Sequence, residues 1–560
     1  MSEDSSKWSA YTPQLLKSLR GYNRETFMRD LMAGVIVGIV ALPMSIAFGI
    51  ASGVTPEVGL VTAIIGGFIV AALGGSTVQA SGPTGAFIVV VYGIIAQFGL
   101  QGLMLATLLA GIMLVLMGLL RLGTIIKFIP YPIIVGFTSG IALTIFSTQM
   151  SDLFGLSISS LPADFIGKWV VYGSNIGSVN YMAMAYGILT IAIIIFTPKI
   201  TRKVPGSLIA VVGVTLLAYV VEEFIPGLPS IETIGDRFTI NAAIPAPQWL
   251  DIDFSMIQRV LPAAFTIALL GAIESLLSAT VADGVTGDRH NSNTELMAQG
   301  AANIVVPFFG GIPVTGAIAR TMTCINNGGR TPVAAIIHAV TLLLILLFLG
   351  DLTQHIPMAC LAGVLVMVAY NMSEWRTFRA LMRGSRSDIA VLLATFLLTV
   401  IFDLTVAIMI GLLLAMLLFM RRMAEVTEVS VVRSSLSLEE EGENDKETLE
   451  IPDGVDVYQI DGPFFFGIAN KLDAVMEWIG DEPKVRIIRM RRIPFMDSTG
   501  LHNLETLIKI SQEGGIKVIL SGVNAKVNRS LVRSKINTLL GDENICPDIY
   551  TALELSKRYL

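Results

Sequence analysis

Cysteine is scarce in this chain: three among 560 residues, Cys324, Cys360 and Cys546, far apart and with no CxxC pair. That excludes a disulfide framework and a thiolate metal site, and it fits a reducing cytoplasmic side. The four histidines are scattered. There is no P-loop, metal-ligand cluster or nucleophile triad, so neither an enzymatic role nor a cofactor has support, and nothing points to nucleic acid. Charge is also short. Asp, Glu, Lys and Arg make up 15% of the residues, against about 25% in a soluble globular chain. Residues 1–30 are polar and contain no apolar signal-peptide core.

What is abundant is apolar sequence, 53% of the residues, and it is unevenly placed. About fourteen apolar segments run near 31–50, 58–74, 84–99, 101–120, 128–150, 181–197, 207–222, 257–281, 294–309, 315–325, 331–349, 356–372, 388–402 and 404–420. A bilayer span takes about 20 such residues, fewer when the helix is short or broken. The organisation expected is a cytoplasmic N-terminal segment (1–30), a transmembrane domain (31–423), an acidic linker (424–449) and a soluble domain (450–560). In the last part, "VDVYQIDGPFFFG", "VRIIRM" and "IKVILSG" read as strands, and "IANKLDAVMEWIG" and "STGLHNLETLIKISQEGG" as helices. This is the pattern of a small α/β domain.

Basic residues test the count, because they collect in short cytoplasmic loops. With the N-terminus inside, that side holds Arg20, Arg24 and Arg29, then Arg121 and Lys127, Lys199, Arg202 and Lys203, Arg289, Arg320 and Arg330. Arg376, Arg379, Arg383 and Arg386 follow, and Arg421 and Arg422 close the last span. Lys168 and Arg259 do not fit this pattern. Both termini are expected in the cytoplasm.

Two stretches depart from plain span character: "VQASGPTGAFIVVV" (78–91) and "GGIPVTGAIARTMT" (310–323). Each has a proline and small residues before a short apolar helix. Each carries Thr-Gly-Ala, as Thr84-Gly85-Ala86 and Thr315-Gly316-Ala317, about 230 residues apart. Each is the third run in a set of seven, so the halves have opposite topology. Paired Gly/Pro-interrupted segments mark the substrate site of inverted-repeat transporters. A helix that starts inside the membrane leaves its first N–H groups unpaired at the positive end of its dipole. Such an end binds anions without a basic side chain. Ordinary re-entrant turns remain the alternative.

Glu274 stands alone in "LLGAIESLLSA", with no basic residue within ten positions. An intramembrane carboxylate points to function; pairing with a distant arginine is the alternative. The repeat offset sets it against Met44, beside Pro43, and Gly271 and Ser278 lie a turn to either side. An apolar surrounding favours the neutral carboxyl, so Glu274 can carry a proton and, once neutral, tolerate an anion nearby. Gln299 and Asn303 are equally suited to packing helices or lining the site. Asp403 is expected at a loop edge, His338 as a packed helix residue, and Arg320 as a cytoplasmic-end anchor rather than part of the site's field.

The order "DLMAGVIVGIVALPMSIAFGIASG", "SGPTGAF", "FIPYPIIVGFTSGIAL", "LGAIESLL", "NSNTELMAQGAANI" and "FFGGIPVTGAIART" resembles the sulfate permease anion transporters. The tail, with "DGPFFFGIANKL" and "IPFMDSTGL", resembles the STAS domain of that family. The resemblance covers nearly the whole chain and looks closest to bacterial members that carry dicarboxylates with protons. It implies a polytopic α-helical membrane protein of seven plus seven inverted repeats, divided into core and gate domains, with a cytoplasmic α/β STAS domain. It also implies elevator-type alternating access and a homodimer in the inner membrane. By position, Pro83, Thr84, Gly85 and Ala86 match the first half-helix start, and Thr315, Gly316 and Ala317 the second. Pro43, Met44 and Ser81 join them as substrate-binding candidates, and Glu274 with Ser278 as the coupling pair. Sodium-coupled bicarbonate relatives carry aspartate at the Glu274 position and threonines nearby; here Ser278 and Ile318 stand at those positions, which favours protons. Ser498 in "MDSTG" matches a phosphorylatable STAS serine, with helix capping by Asp497 or Ser498 as the alternative.

The expectation is a proton-coupled symporter of C4-dicarboxylates. The alternatives are a sulfate or bicarbonate transporter, sodium-coupled or uncoupled, and a channel-like or regulatory scaffold for a cytoplasmic partner of the STAS domain.

Overall fold

The structure is a computed structural model. It describes residues 11–124, 130–158, 161–162, 164–201, 204–225, 229–239, 243, 245–249, 254–402, 404–433, 435–438, 447–466 and 483–560. Lys127, Arg202, Lys203, Asp403, the acidic run 439–446 and the helix expected over 468–480 lie outside them. The chain divides into two compact units, Met1–Ala415 and Met416–Leu560.

Among the described residues, fourteen helical segments make up the apolar part. The first seven are α1 (Arg24–Ala51), α2 (Pro56–Leu73), α3 (88–98), α4 (100–119), α5 (Tyr131–Leu153), α6 (Tyr181–Ile200) and α7 (Gly206–Phe224). The second seven are α8 (Phe254–Thr286), α9 (Ser292–Val305), α10 (Ile318–Asn326), α11 (Pro332–Leu349), α12 (Met358–Met372), α13 (Arg386–Ile401) and α14 (Leu404–Val426). The break between α3 and α4 falls at Gly99, whose φ of 69° and ψ of −176° suit glycine alone. Among the described residues, ten helices are long and apolar enough to cross a bilayer, with α3 and α4 taken as one. The other three, α9, α10 and α13, are shorter.

Packing repeats between the halves. α1 lies on α11 as α8 lies on α4, and α2 lies on α11 as α9 lies on α4. These six segments, with α3 leading into α4 and α10 packed on α1 and α8, form one bundle. α5 packs on α12 and α13, α6 packs on α12 and α7, and these helices form a second bundle. Within lipid there is no hydrophobic drive between helices, so close approach at small residues takes over. α1 presents Gly34 and Gly38, where an added Cβ would lie 2.5 Å from Ala334 O and 2.6 Å from Thr341 Cβ of α11. α4 and α9 cross at Gly111 and Gly300, each with its Cβ position under 3.0 Å from the other's carbonyl oxygen (2.7 and 2.6 Å).

Between α5 and α6 a short helix, Phe165–Ser174, is capped by Asp164, whose carboxylate accepts from Gly167 N at 2.6 Å. The misfitting Lys168 sits on this helix and is buried, while Arg259 is exposed near the start of α8.

The second unit is a five-stranded sheet in the order β3 (Glu428–Val432), β6 (Val455–Asp461), β7 (Val485–Arg489), β8 (Lys517–Ser521), β9 (Ile545–Cys546). Only β3 is antiparallel to its neighbour. Ile488, Val518 and Leu520 pack under α15 (Ser498–Glu513) and α16 (Ala525–Arg533). The alternate residues Ile487 and Ile519 pack under Ile549–Ser556. β3 lies inside the stretch 424–449 read as linker. That reading is corrected for 428–432, where the alternation of Val429 and Val431 with polar residues is a strand signal. Ser435–Leu438 and Glu447–Glu450 also pair, as an antiparallel ribbon.

Replacing Gly300 by valine should force α9 off α4. The expected loss is about 1–3 kcal/mol of stability, read as a lower melting temperature of the detergent-purified chain. Replacement of Gly213, which has open space around its Cβ position, should leave that temperature unchanged.

Candidate functional site

The two interrupted segments meet. β1 (Ser81–Gly82) pairs antiparallel with β2 (Thr315–Gly316), Ser81 opposite Gly316 and Gly82 opposite Thr315. Beyond β1, Thr84 is extended (φ −133°, ψ 159°); Gly85–Phe87 then make one tight turn into α3. Beyond β2, Ala317 is extended (φ −112°, ψ 109°) and α10 begins. The strands run oppositely, so two helices start from one place and leave in opposite directions. Neither start has a side-chain cap. Among the described residues, the N–H groups of Gly85, Ala86, Ile318 and Ala319 meet no acceptor, and Thr84 Oγ1 is buried without a partner. Four free donors and two positive dipole ends in an apolar bundle can bind a small anion.

The rest of the extended chain is satisfied by side chains. Gly316 N donates to Ser275 Oγ at 3.1 Å, Ser275 Oγ and Thr315 Oγ1 are 2.8 Å apart, and Thr315 Oγ1 donates to Gly271 O at 3.1 Å. Ala317 N donates to Ala80 O at 3.0 Å, and Ala80 N to Thr321 Oγ1 at 3.0 Å. Ser278 Oγ donates to that same Thr321 oxygen at 3.3 Å. Asn303 brackets Val314, accepting from its N and donating to its O, both at 2.8 Å. Gln299 donates to Ser81 Oγ at 2.9 Å. Thr315, Gly316, Ser81 and Ser278 therefore have their hydrogen-bonding groups committed to the frame. The free donors lie two to four residues beyond the paired strands.

Glu274 sits at the edge of the α8 face that carries Gly271, Ser275 and Ser278. It is half-buried, and among the described residues its carboxylate has no hydrogen bond or ion pair, so no arginine holds it. Pro43 is buried and Met44 half-buried midway along α1, which packs against α10. Ala86 and Ala317 are buried.

Arg320 departs from its expected role as an end anchor. It is 1% exposed, its guanidinium donates through Nη2 to Pro83 O, and its Nη1 has no partner. A cation in the first turn of α10 thus reaches behind β1 to the start of α3. The sequence reading missed Glu295 altogether. Fully buried, it accepts from Gly75 N (2.9 Å), Ser76 N (3.2 Å), Gln79 Nε2 (2.9 Å) and Gln299 Nε2 (3.1 Å). Its place in the first turn of a helix gave it the look of an exposed acid; only the spacing to Gln299 hinted otherwise. His338 is buried in α11, as expected of a packed residue.

In the second unit, Asp497 is the N-cap of α15, accepting from Gly500 N at 2.7 Å, and Ser498 is exposed beside it. Capping thus belongs to Asp497, and the Ser498 side chain faces solvent.

A multi-pass helical bundle with paired half-helix ends, joined in sequence to an α/β domain, defines a membrane anion transporter. The sequence pattern of the Sulfate permease family matches residues 27–395, and that of the STAS domain matches residues 447–552. The chain belongs to the Sulfate permease family and carries its STAS domain. It is 39% identical to YvdB of Bacillus subtilis over 527 residues, 94% of this chain and 97% of that protein. It is 31% identical to the bicarbonate transporter BicA of Picosynechococcus over 526 residues, 90% of each. Its fold matches murine solute carrier 26 family member A9, an anion transporter solved in the inward-facing state. There the TM-score is 0.87 at 17% identity, covering 100% of this chain and 96% of that one. The transmembrane domain of BicA matches at a TM-score of 0.61 and 31% identity, covering 70% of this chain and 98% of that one.

Glu295→Ala should orphan four buried donors. The expected loss is at least about 2 kcal/mol, read as a lower melting temperature, and Glu295→Gln should recover part of it.

Proposed function

We propose that this chain moves small anions across the bacterial inner membrane by elevator-type alternating access, with a proton carried on Glu274. The observation that supports this best is the pairing of two uncapped half-helix starts, with Glu274 unpartnered on the helix behind them. Protons are favoured over sodium because a sodium ion needs several oxygen ligands. Ile318 offers no side-chain oxygen, and the Ser278 hydroxyl is engaged with Thr321. In this reading, anion and proton favour each other's binding, because a neutral Glu274 does not repel the substrate. Pro43 and Met44, with Ser81 and Pro83 through Ala86, surround the substrate together with Thr315, Gly316 and Ala317.

The substrate we infer is a C4-dicarboxylate. A second reading, bicarbonate or sulfate, draws on the similarity to BicA and on the family's name. The protein works as a homodimer with both termini in the cytoplasm. Residues 31–423 carry transport, and 450–560 form the regulatory STAS domain, which meets a cytoplasmic protein partner.

Uptake of succinate, sulfate and bicarbonate into proteoliposomes, with an inward proton gradient and no sodium, tests the reading. One anion should accumulate up to about tenfold, the ceiling that a one-unit pH gradient sets for a single coupled proton at zero membrane potential, and a protonophore should collapse it. Glu274→Gln, fixed in the neutral form, should still bind substrate but lose the accumulation. Acid-stimulated accumulation in that variant would remove Glu274 from the mechanism.

Ser498→Asp places a charge where phosphate would sit, at the start of α15. It should change the maximal uptake rate by about twofold or more without shifting KM, a coupling of under about 1 kcal/mol. Identical kinetics would leave Ser498 a plain solvent-facing residue.

A further inference from the structure

Lys168 is a buried charge that the proposed transport mechanism leaves unused. It is 4% exposed, on the short helix Phe165–Ser174, which Tyr172 fastens to α5 through its hydroxyl and Ser147 O at 2.9 Å. Its ammonium lies 5.7 Å from the centroid of the Tyr92 ring of α3. Among the described residues it has no hydrogen-bond acceptor and no carboxylate in contact. The nearest acid on its own helix, Asp164, is turned to the helix cap. Burial lowers the pKa of this ammonium, and the field of Asp164 opposes the drop. A buried cation is strongly unfavourable unless a counter-charge meets it directly, and Asp164 acts on Lys168 only through its field.

The space beside it is built for such a counter-charge. Lys168 opens on a cavity of about 340 Å³ between the two helix bundles, which Asp164, its carboxylate held by Gly167 N, also lines. One wall is α3, from Ile88 in its first turn to Phe98 at its far end, with Gln97 among the residues between. The other wall is α5 and α13, including Thr144 and Thr148. The cavity therefore starts one turn from the free N–H groups of Gly85 and Ala86 and runs the length of the half-helix. A larger cavity of about 1140 Å³, lined by Asp152, Glu232 and Arg237, shares Tyr92 and Thr148 with it.

We propose that the Lys168 cavity is a second anion site, a station where a small oxyanion or halide neutralises the buried ammonium before or after it occupies the half-helix ends. The station rests on the half-helix site as the place the anion passes to. Its own binding can be measured separately.

The test is the melting temperature of the detergent-purified full chain against chloride, sulfate, bicarbonate or succinate, at constant ionic strength. Gly85→Leu blocks the half-helix ends, and its Cβ meets the flexible Met372 Sδ (2.8 Å) rather than backbone. In that background a saturable rise in melting temperature should persist. Adding Lys168→Met should raise its half-saturation concentration at least about tenfold, and Lys168→Arg should keep it within about threefold. Melting temperatures without anion check that each variant folds, with Lys168→Gln as a second neutral form. The station is overturned if Gly85→Leu alone abolishes the saturable response, or if Lys168→Met leaves it untouched. A response unchanged by Gly85→Leu and lost in Lys168→Met would uphold the station and count against the half-helix site.

Discussion

The pairing of Ser81 with Gly316 and of Gly82 with Thr315 is the contact on which the rest depends. Extended chain inside a membrane bundle leaves polar backbone groups unmet unless protein supplies partners. Here each extended segment satisfies part of the other, and buried side chains complete the work. Glu295 gathers the approach to β1, Asn303 brackets the approach to β2, and Ser275 and Thr321 take the N–H groups on either side of the crossing. Among the described residues, the N–H groups of Gly85, Ala86, Ile318 and Ala319, in the first turns of α3 and α10, stay free. The proposed anion site is these donors, left over once the paired strands have taken their partners.

The two-fold relation of the halves follows from the same place. Seven segments per half put α3 and α10 in opposite directions, and their shared starting point requires the helices around them to repeat their packing. α1 on α11 mirrors α8 on α4, with glycines where backbones come closest. The bundle holding the half-helices and the bundle of α5–α7, α12 and α13 are distinct groups. The Lys168 cavity lies at their junction, where polar groups can face a passage without facing lipid.

Most of the site's address was legible in the chain. The duplicated Thr-Gly-Ala, the prolines before it and the lone Glu274 are local features, and local features survive in sequence. Arg320, Lys168 and Glu295 were not legible. Each is a charged residue near a turn or a helix end, where charge is ordinarily solvated. Each is buried because a distant segment covers it: Pro83 over Arg320, α3 over Lys168, and residues 75–79 over Glu295. The strand at 428–432 carried a signal, the alternation of Val429 and Val431 with polar residues, but it is short and precedes an acidic run, and pairing with β6 makes it the sheet's edge.

The sequence by itself determined that the chain is a membrane protein in two parts, how many segments it has, and where its helices break. Apolar runs of span length and glycines or prolines in mid-run leave few other solutions. The tertiary structure alone decided which donors stay free and which charges lose their solvent. Those outcomes depend on contacts between residues far apart in the chain, more than 200 positions for Arg320 with Pro83 and Glu295 with Gly75. Spacing along the chain carries no information about such contacts.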